Sequence, residues 1–351
     1  FTTRVRYGFL SVQLNYTIRR SNKLFMNRKR GHMSEITLVT AFFEINRSTW
    51  VKFSRTEKTY FKHFDHWAQM KNRLVVYTMP EMVSEVLAIR RKYGLEDRTI
   101  VVPINDVTKE VPDVYQDIKY AIIKYAMENK DSWLFHDALA NPESWNYRYN
   151  YITCIKSYWV QKAVKDGFAK GTVAWIDFGF DHGGEDFPYS EDFNFLWLYD
   201  FSPKVHIFLL CPLNNDPIFK VVQTMGPYIR GNITVAPDRL WLILWQDTYE
   251  ALKSLTECGM ADDDQTLMLM AYRRHPENFE PHMASYWGEG LGAYGGDTLR
   301  RRIHKPKRNN AFHRLWRKQR ARWKAKIQEL KTKHRIKKRH AERIEKEYFN
   351  K

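Results

Sequence analysis

The side chains of this chain that could do chemistry stand where regular elements begin or end. Asp177 closes the apolar run Thr172–Ile176, and Gly179 follows two places later. A hydrophobic strand ending in an acid carries a charge to the rim of a sheet, where open α/β sheets bind ligands. There a carboxylate could hold a divalent metal, manganese or magnesium, against the charge that grows on a departing diphosphate. A glycine beside it lets phosphates approach the backbone closely. Lys156 follows Asn150 and a cluster of tyrosines on a helix, and could meet a phosphate from across the sheet. Asp262-Asp263-Asp264-Gln265 opens another helix. Acids stabilise helix N-termini, but three in succession exceed what capping needs, so one could face a substrate hydroxyl and take its proton. His275 or His282 could complete a metal site with Asp177. His282 is the stronger candidate, because the glycine-rich loop Trp287–Gly290 beside it can fold over a ligand. His63 and His66 lack a third ligand nearby, and suit a surface or stacking role better than metal.

These residues need a scaffold. Ile36–Phe43 reads as a buried strand followed by Glu44-Ile45-Asn46-Arg47. A dinucleotide site requires glycines at that turn, and no P-loop motif occurs, so both chemistries are excluded. The spacing predicts a helix over 56–70, a strand at Leu74–Thr78, a helix from Pro80 to about Tyr93 stopped by Gly94, a strand at Thr99–Ile104 and a helix near Tyr115–Glu128. An irregular aromatic stretch, Asp131–Tyr151, precedes a helix from about Ile152 to Phe168 that carries Lys156. Past Asp177 come a loop to Asp192 and strands near Phe193–Leu198, Lys204–Cys211 and Gly231–Val235. Helices at about Asp238–Cys258, capped by Asp238, and Asp263–Arg273 follow. Strands alternating with helices imply a mostly parallel sheet covered on both faces.

The formal charge of +17 is unevenly spread. Residues 1–32 hold eight bases and no acid, and residues 300–351 hold 22 bases against four acids. The body between them, 33–299, carries 27 bases against 36 acids. An acidic body is not an ordinary nucleic-acid surface, and no DNA partner is expected. The segment 1–32 reads as a basic extension outside the fold, with Met33 a plausible start. The segment 300–351 reads as a basic amphipathic helical tail with Phe312, Leu315, Trp316, Trp323, Ile327 and Leu330 along one side. Such helices lie on anionic membrane surfaces; RNA binding is the other reading. Three cysteines without a CxxC pair fit a reducing cytosol. No apolar run is long enough to span a bilayer.

Four stretches in this order resemble the HtrL/YibB family: EITLVTAFFEINR at 35–47, WNYRYNYITCIKSYWVQKA at 145–163, AWIDFGF at 174–180 and DDQTLMLMAYRRHPENF at 263–279. The resemblance implies a bacterial glycosyltransferase of GT-A-like α/β fold, with a mixed, mostly parallel sheet flanked by helices. It implies a nucleotide-sugar donor and a glycan or glycolipid acceptor in lipopolysaccharide or capsule assembly. The place of action would be the cytoplasm, peripheral on the inner membrane. It implies that Thr40, Ala41 and Phe42 lie near the base and ribose, that Asn150, Lys156, Asp177, Gly179 and Gln265 serve the donor, and that Asp264 is catalytic. In many GT-A enzymes the strand-end motif is Asp-x-Asp; here Gly179 replaces the second acid, so metal ligands would be Asp177 and His282. Two other classes compete. One is an RNA-associated protein acting through its tail; the other is a glycoside hydrolase with Asp177 and Asp264 as paired carboxylates.

Overall fold

The computed structural model describes residues 35–302 apart from 51, 52, 130–140, 225 and 227. The expected basic extension 1–32 and nearly all of the expected tail 300–351 therefore lie outside the described residues.

The body is a seven-stranded sheet in the order β3-β2-β1-β4-β6-β5-β7. Its strands are β1 (Thr37–Phe42), β2 (Leu74–Thr78), β3 (Thr99–Pro103), β4 (Thr172–Ile176), β5 (Val205–Leu209), β6 (Ile233–Pro237) and β7 (Phe279–Met283). The pairs β1/β2, β2/β3, β1/β4 and β5/β7 are parallel, and β6 runs against both of its neighbours. The helices are α1 (Glu57–Trp67), α2 (Val83–Lys92), α3 (Pro112–Asn129), α4 (Tyr147–Cys154), α5 (Lys156–Lys165), α6 (Ile218–Thr224), α7 (Asp238–Glu257), α8 (Asp264–Arg274) and a single turn, α9 (Glu289–Gly292). The chain adopts the expected α/β fold: a mixed, mostly parallel sheet with helices on both faces.

Each face of the sheet buries its own cluster. Val39, Val75, Val173 and Trp175 pack with Trp159 of α5, Trp241 of α7 and Leu267 of α8. Leu38, Leu74, Val76 and Ile176 pack with Phe64 and Trp67 of α1 and Val86 of α2. The order reverses between β1 and β4: from β1 the chain builds outward through β2 and β3, and from β4 it builds the other way. The carboxyl ends of these two neighbours therefore open a crevice that no crossover covers.

Four expectations need correction. The helix expected over Ile152–Phe168 is two helices, because the backbone leaves helical geometry at Ile155 (φ −94°, ψ 18°). The first begins inside the stretch expected to be irregular, where the Asn146 side chain accepts from Tyr149 N. The second begins at Lys156 itself. Phe193–Leu198 is no strand: Phe193 is buried from the end of a 3-10 turn (Ser190–Phe193), Trp197 from the loop after it, and Leu198 makes only an isolated bridge to Glu35. The segment holding His282 is not a loop but β7, an edge strand that tolerates Pro281 because its outer side needs no donors. Asp238 does not cap α7 from outside; as its first residue it instead accepts Gly171 N at 2.8 Å.

One buried cation ties the outer part of the sheet together. Arg90 of α2 is fully buried and donates to Ala68 O, Met70 O, Asn72 O and Thr99 Oγ1 at 2.6–3.0 Å. Ala68 caps the C-terminus of α1, where carbonyls lack helical partners. Burial pulls the Arg90 guanidinium down to about 10, still charged at neutral pH. Arg90→Met strands several buried acceptors at once. It should cost about 3 kcal/mol or more in urea unfolding; a loss under about 1 kcal/mol would show that these bonds are dispensable.

Candidate active site

The crevice is a cleft of about 410 Å³. It is walled by the segment after β1, the segment after β4, α4–α5 and the start of α8. Its floor is a lysine between two acids. Lys156 Nζ lies 3.0 Å from Asp177 Oδ1, 3.0 Å from Asp264 Oδ2 and 2.9 Å from Gly231 O. A lysine has three donors, and all are used. Local structure explains why they meet. The break at Ile155 starts α5 at Lys156, β4 delivers Asp177 at its end, and the Asp263 side chain caps α8 by accepting Gln265 N at 3.0 Å, which fixes Asp264 in the first turn. Gly231 makes the room, since a Cβ there would stand 2.2 Å from Asp264 Oδ2.

Electrostatics follow from burial. Burial works against the charge of Lys156, but Asp177 and Asp264 outweigh it and raise its pKa. Burial raises Asp264, with Lys156 pulling the other way. Burial and the neighbouring acids raise Asp263 well above the usual range, and burial lifts Asp262 to about 6. The run Asp262–Asp264 is thus more than a cap: Asp263 does the capping, Asp262 accepts Thr266 Oγ1 at 2.8 Å, and Asp264 is turned to the cleft.

Of the expected donor residues, Ala41, Phe42, Lys156, Asp177, Gly179, Asp264 and Gln265 line this cleft. Thr40 and Asn150 do not. Both are fully buried; the Thr40 side chain lies within the sheet, and Asn150 Nδ2 is spent on Glu143 O at 2.7 Å. Lys156 is engaged by carboxylates instead of standing free for a phosphate. Gly179 packs against α1, with Tyr60 3.3 Å from where its Cβ would be. The expected pairing of Asp177 with His282 fails on topology. Two strands separate β4 from β7, about 14 Å at the usual strand spacing, and His282 Nε2 instead meets His206 Nδ1 at 2.8 Å. His275 ends α8, 3.6 Å from Asp247 and 3.3 Å from Glu277. His63 is not at the surface: it is buried against Tyr60, with Gly183 close over it.

The donor set around Asp177 does not fit a divalent ion. Asp177 Oδ1 already accepts from Trp175 Nε1 at 2.8 Å and meets Lys156. The ammonium occupies the space between the two acids, and Gly179 supplies no ligand.

Sequence reasoning missed the cations of the opposite wall. Arg47 Nη1 donates to Tyr60 Oη at 2.6 Å and Nε to Phe53 O at 3.0 Å, while its guanidinium lies 5.0 Å from the Trp50 ring and 5.6 Å from that of Tyr149. Arg55 Nη2 lies 3.3 Å from His182 Nε2. Arg47 is thus held by uncharged oxygens and aromatic faces; among the described residues it forms no ion pair, although its charge acts on the nearby Glu143 carboxylate. The available signal was an arginine among aromatics just past the first strand. The loop after Asp177 is strained: Asp181 and His182 both have left-handed backbones (φ 56° and 46°). The Asp181 carboxylate holds it by accepting Asp186 N and Phe187 N at 2.7 and 3.1 Å. Such strain persists only where surroundings impose it, and it collects at functional sites.

Residues 34–290 match the family HtrL_YibB, described as a bacterial protein of unknown function. The chain is 28% identical to the Escherichia coli protein HtrL over 277 residues, 73% of this chain and 90% of that one. Among solved structures it is similar to mouse xyloside xylosyltransferase 1, with 11% identity, 77% of this chain, 96% of that chain and a TM-score of 0.36. It is also similar to the PaToxG glycosyltransferase, with 10% identity, 75% and 81% coverage and a TM-score of 0.30. Scores this low carry no functional argument.

The acidic run makes a pH prediction. Asp262 is raised from 3.8 to about 6 in the folded protein, so its contribution to stability falls as pH climbs through that window. Asparagine has no such dependence. The melting temperature of Asp262→Asn, relative to the parent, should therefore improve between pH 4 and pH 7.5; a constant difference would mean that Asp262 is not perturbed.

Proposed function

This chain belongs to the HtrL_YibB family, and we propose that it is a glycosyltransferase that moves a sugar from a nucleotide-sugar donor to a glycan or glycolipid acceptor. The observation that carries the proposal is the cleft itself: an ion-paired acidic floor facing a wall with the cations Arg47 and Arg55, at the point where the strand order reverses. Transfer breaks the bond between the anomeric carbon and the diphosphate oxygen, forms one to the acceptor oxygen and releases the acceptor proton. Charge grows on the departing diphosphate, and fixed cations stabilise it at no reorganisation cost. Arg47 and Arg55 are placed for that role, with Trp50 and Tyr149 holding Arg47 in position. Asp177, 35% exposed, is assigned to the hydroxyls of the donor sugar. Asp264 is assigned as the base: it lines the cleft, burial raises its pKa above the ordinary carboxylate range and so makes it more basic, and Lys156 keeps it oriented. Two buried amide oxygens of lining residues, Gln265 Oε1 and Asn232 Oδ1, accept no hydrogen bond among the described residues, and a side-chain turn would offer them to a ligand rich in hydroxyl donors.

No helix among the described residues is long and apolar enough to cross a membrane. We assign the acceptor to the bacterial surface, lipopolysaccharide or capsule, and the docking surface to anionic lipid met by 300–351. The bacterial family and the charge of that segment support these assignments.

Isothermal titration with UDP, GDP and CMP, with and without manganese, tests the reading. One nucleotide should bind, with the same affinity in both conditions, and Arg47→Ala should weaken it about tenfold or more. Binding that appears only with manganese would overturn the metal-free site, and no binding to any nucleotide would overturn the function. In the nucleotide-competent protein, Asp264→Asn should keep affinity and lose turnover by about 100-fold or more.

A further inference from the structure

A second cluster of ligating side chains lies across the sheet, on β5 and β7. These strands pair in parallel, with His206 opposite Glu280 and Phe208 opposite His282. Side chains two apart share a face of a strand, so the Glu280-x-His282 spacing sets a carboxylate and an imidazole together beside His206. One ligating atom from each lies within 4.8 Å of the other two. His206 is 1% exposed, and the rings of Phe201 and Tyr294 lie 4.7 and 4.9 Å from His206 and His282.

We propose that His206, His282 and Glu280 form a zinc site, separate from the transfer cleft. The hydrogen bonds around the cluster already orient it as ligands require. His206 Nε2 lies 2.9 Å from Ser202 O. A carbonyl only accepts, so Nε2 carries the proton and the lone pair of Nδ1 faces the cluster. That is the outer-shell arrangement that fixes metal-binding histidines. Ser202 Oγ in turn donates to Glu280 Oε2, turning that carboxylate to the same point. His282 Nε2 stands 2.8 Å from His206 Nδ1 and supplies the proton between them. On binding, that proton moves to Nδ1 of His282, leaving two imidazole nitrogens and a carboxylate oxygen for the ion with no net proton change. Two neutral nitrogens and one oxygen suit zinc, whose bonds of about 2.0–2.2 Å would be reached by side-chain turns that part the two imidazole nitrogens slightly and bring the carboxylate in. A fourth position stays open for water. The ion would clamp edge strand β7 to β5. The chain leaving β7 reaches Trp287, a residue of the cleft wall, within a few residues, so the clamp would steady that wall without entering the site.

Chelator-stripped full-length protein titrated with zinc chloride alone tests the proposal. It should bind one zinc per chain with submicromolar affinity. His282→Ala, at an edge strand, should lose at least the about 10–100-fold that even an outer partner costs, and Glu280→Gln should weaken it as well. Cobalt(II) loading should give the visible bands of a low-coordinate ion in the parent and none in His282→Ala, whose far-ultraviolet circular dichroism should match that of the stripped parent, which separates ligation from unfolding. Zinc binding that is absent, or unchanged in both variants, would overturn the site. The nucleotide titration of stripped protein is read independently, so failure of one reading leaves the other standing.

Discussion

The ion pairing of Lys156 with Asp177 and Asp264 is the constraint on which the site depends. It joins the start of α5, the end of β4 and the start of α8, segments far apart in sequence. Lys156 is 16% and Asp264 13% exposed, so neither charge is well solvated. A buried charge left without its partner costs several kcal/mol, and all three elements are therefore held in register. The features around the floor serve that arrangement. Gly231 leaves space for the Asp264 carboxylate, the break at Ile155 starts α5 at Lys156, and Asp263 caps the start of α8 so that Asp264 stands in its first turn.

The sheet was largely legible. Short apolar runs at β1, β2 and β4 are buried on both sides, as parallel strands covered by helices must be, and such runs announce themselves; β3, at the edge, is only half-buried yet keeps the same apolar character. The acid after β4 and the capping aspartate before α8 were legible too, because strand ends and helix starts have local chemical signatures. What could not be read was anything decided by distant contacts. Lys156 looked like a lysine free for phosphate, because nothing local shows that two acids converge on it. The alternation of β7 is interrupted by Pro281, so it resembled a loop, and its histidine was assigned to the wrong carboxylate. Phe193 and Trp197 showed the opposite error: their apolar character, typical of a strand, is used to seal a loop over the α1 face. Thr40 and Asn150 belonged to the right segments, yet their side chains serve the interior.

The same physics separates the two sets of ligating residues. In the cleft an ammonium already stands where a divalent ion would neutralise the acids, and nearby cations are held by aromatic faces and uncharged oxygens. Charge is thus supplied by the chain itself, in a fixed geometry. On β5 and β7, two imidazoles and a carboxylate converge with no cation among them, held by a backbone carbonyl and a serine. One cluster is filled by protein and the other is built to receive an ion.

The central claim is that Lys156 and Asp264 hold the cleft floor as one unit, and a double-mutant cycle tests it most directly. Lys156→Met, Asp264→Asn and the double variant would be compared with the parent by urea unfolding at pH 7.5. Lys156→Met strands the buried Asp264 carboxylate, a cost absent once Asp264 is also neutral, while Asp177 is common to all four proteins, so the account predicts a coupling energy of about 2 kcal/mol or more. Additive effects, with a coupling within about 0.5 kcal/mol of zero, would contradict it.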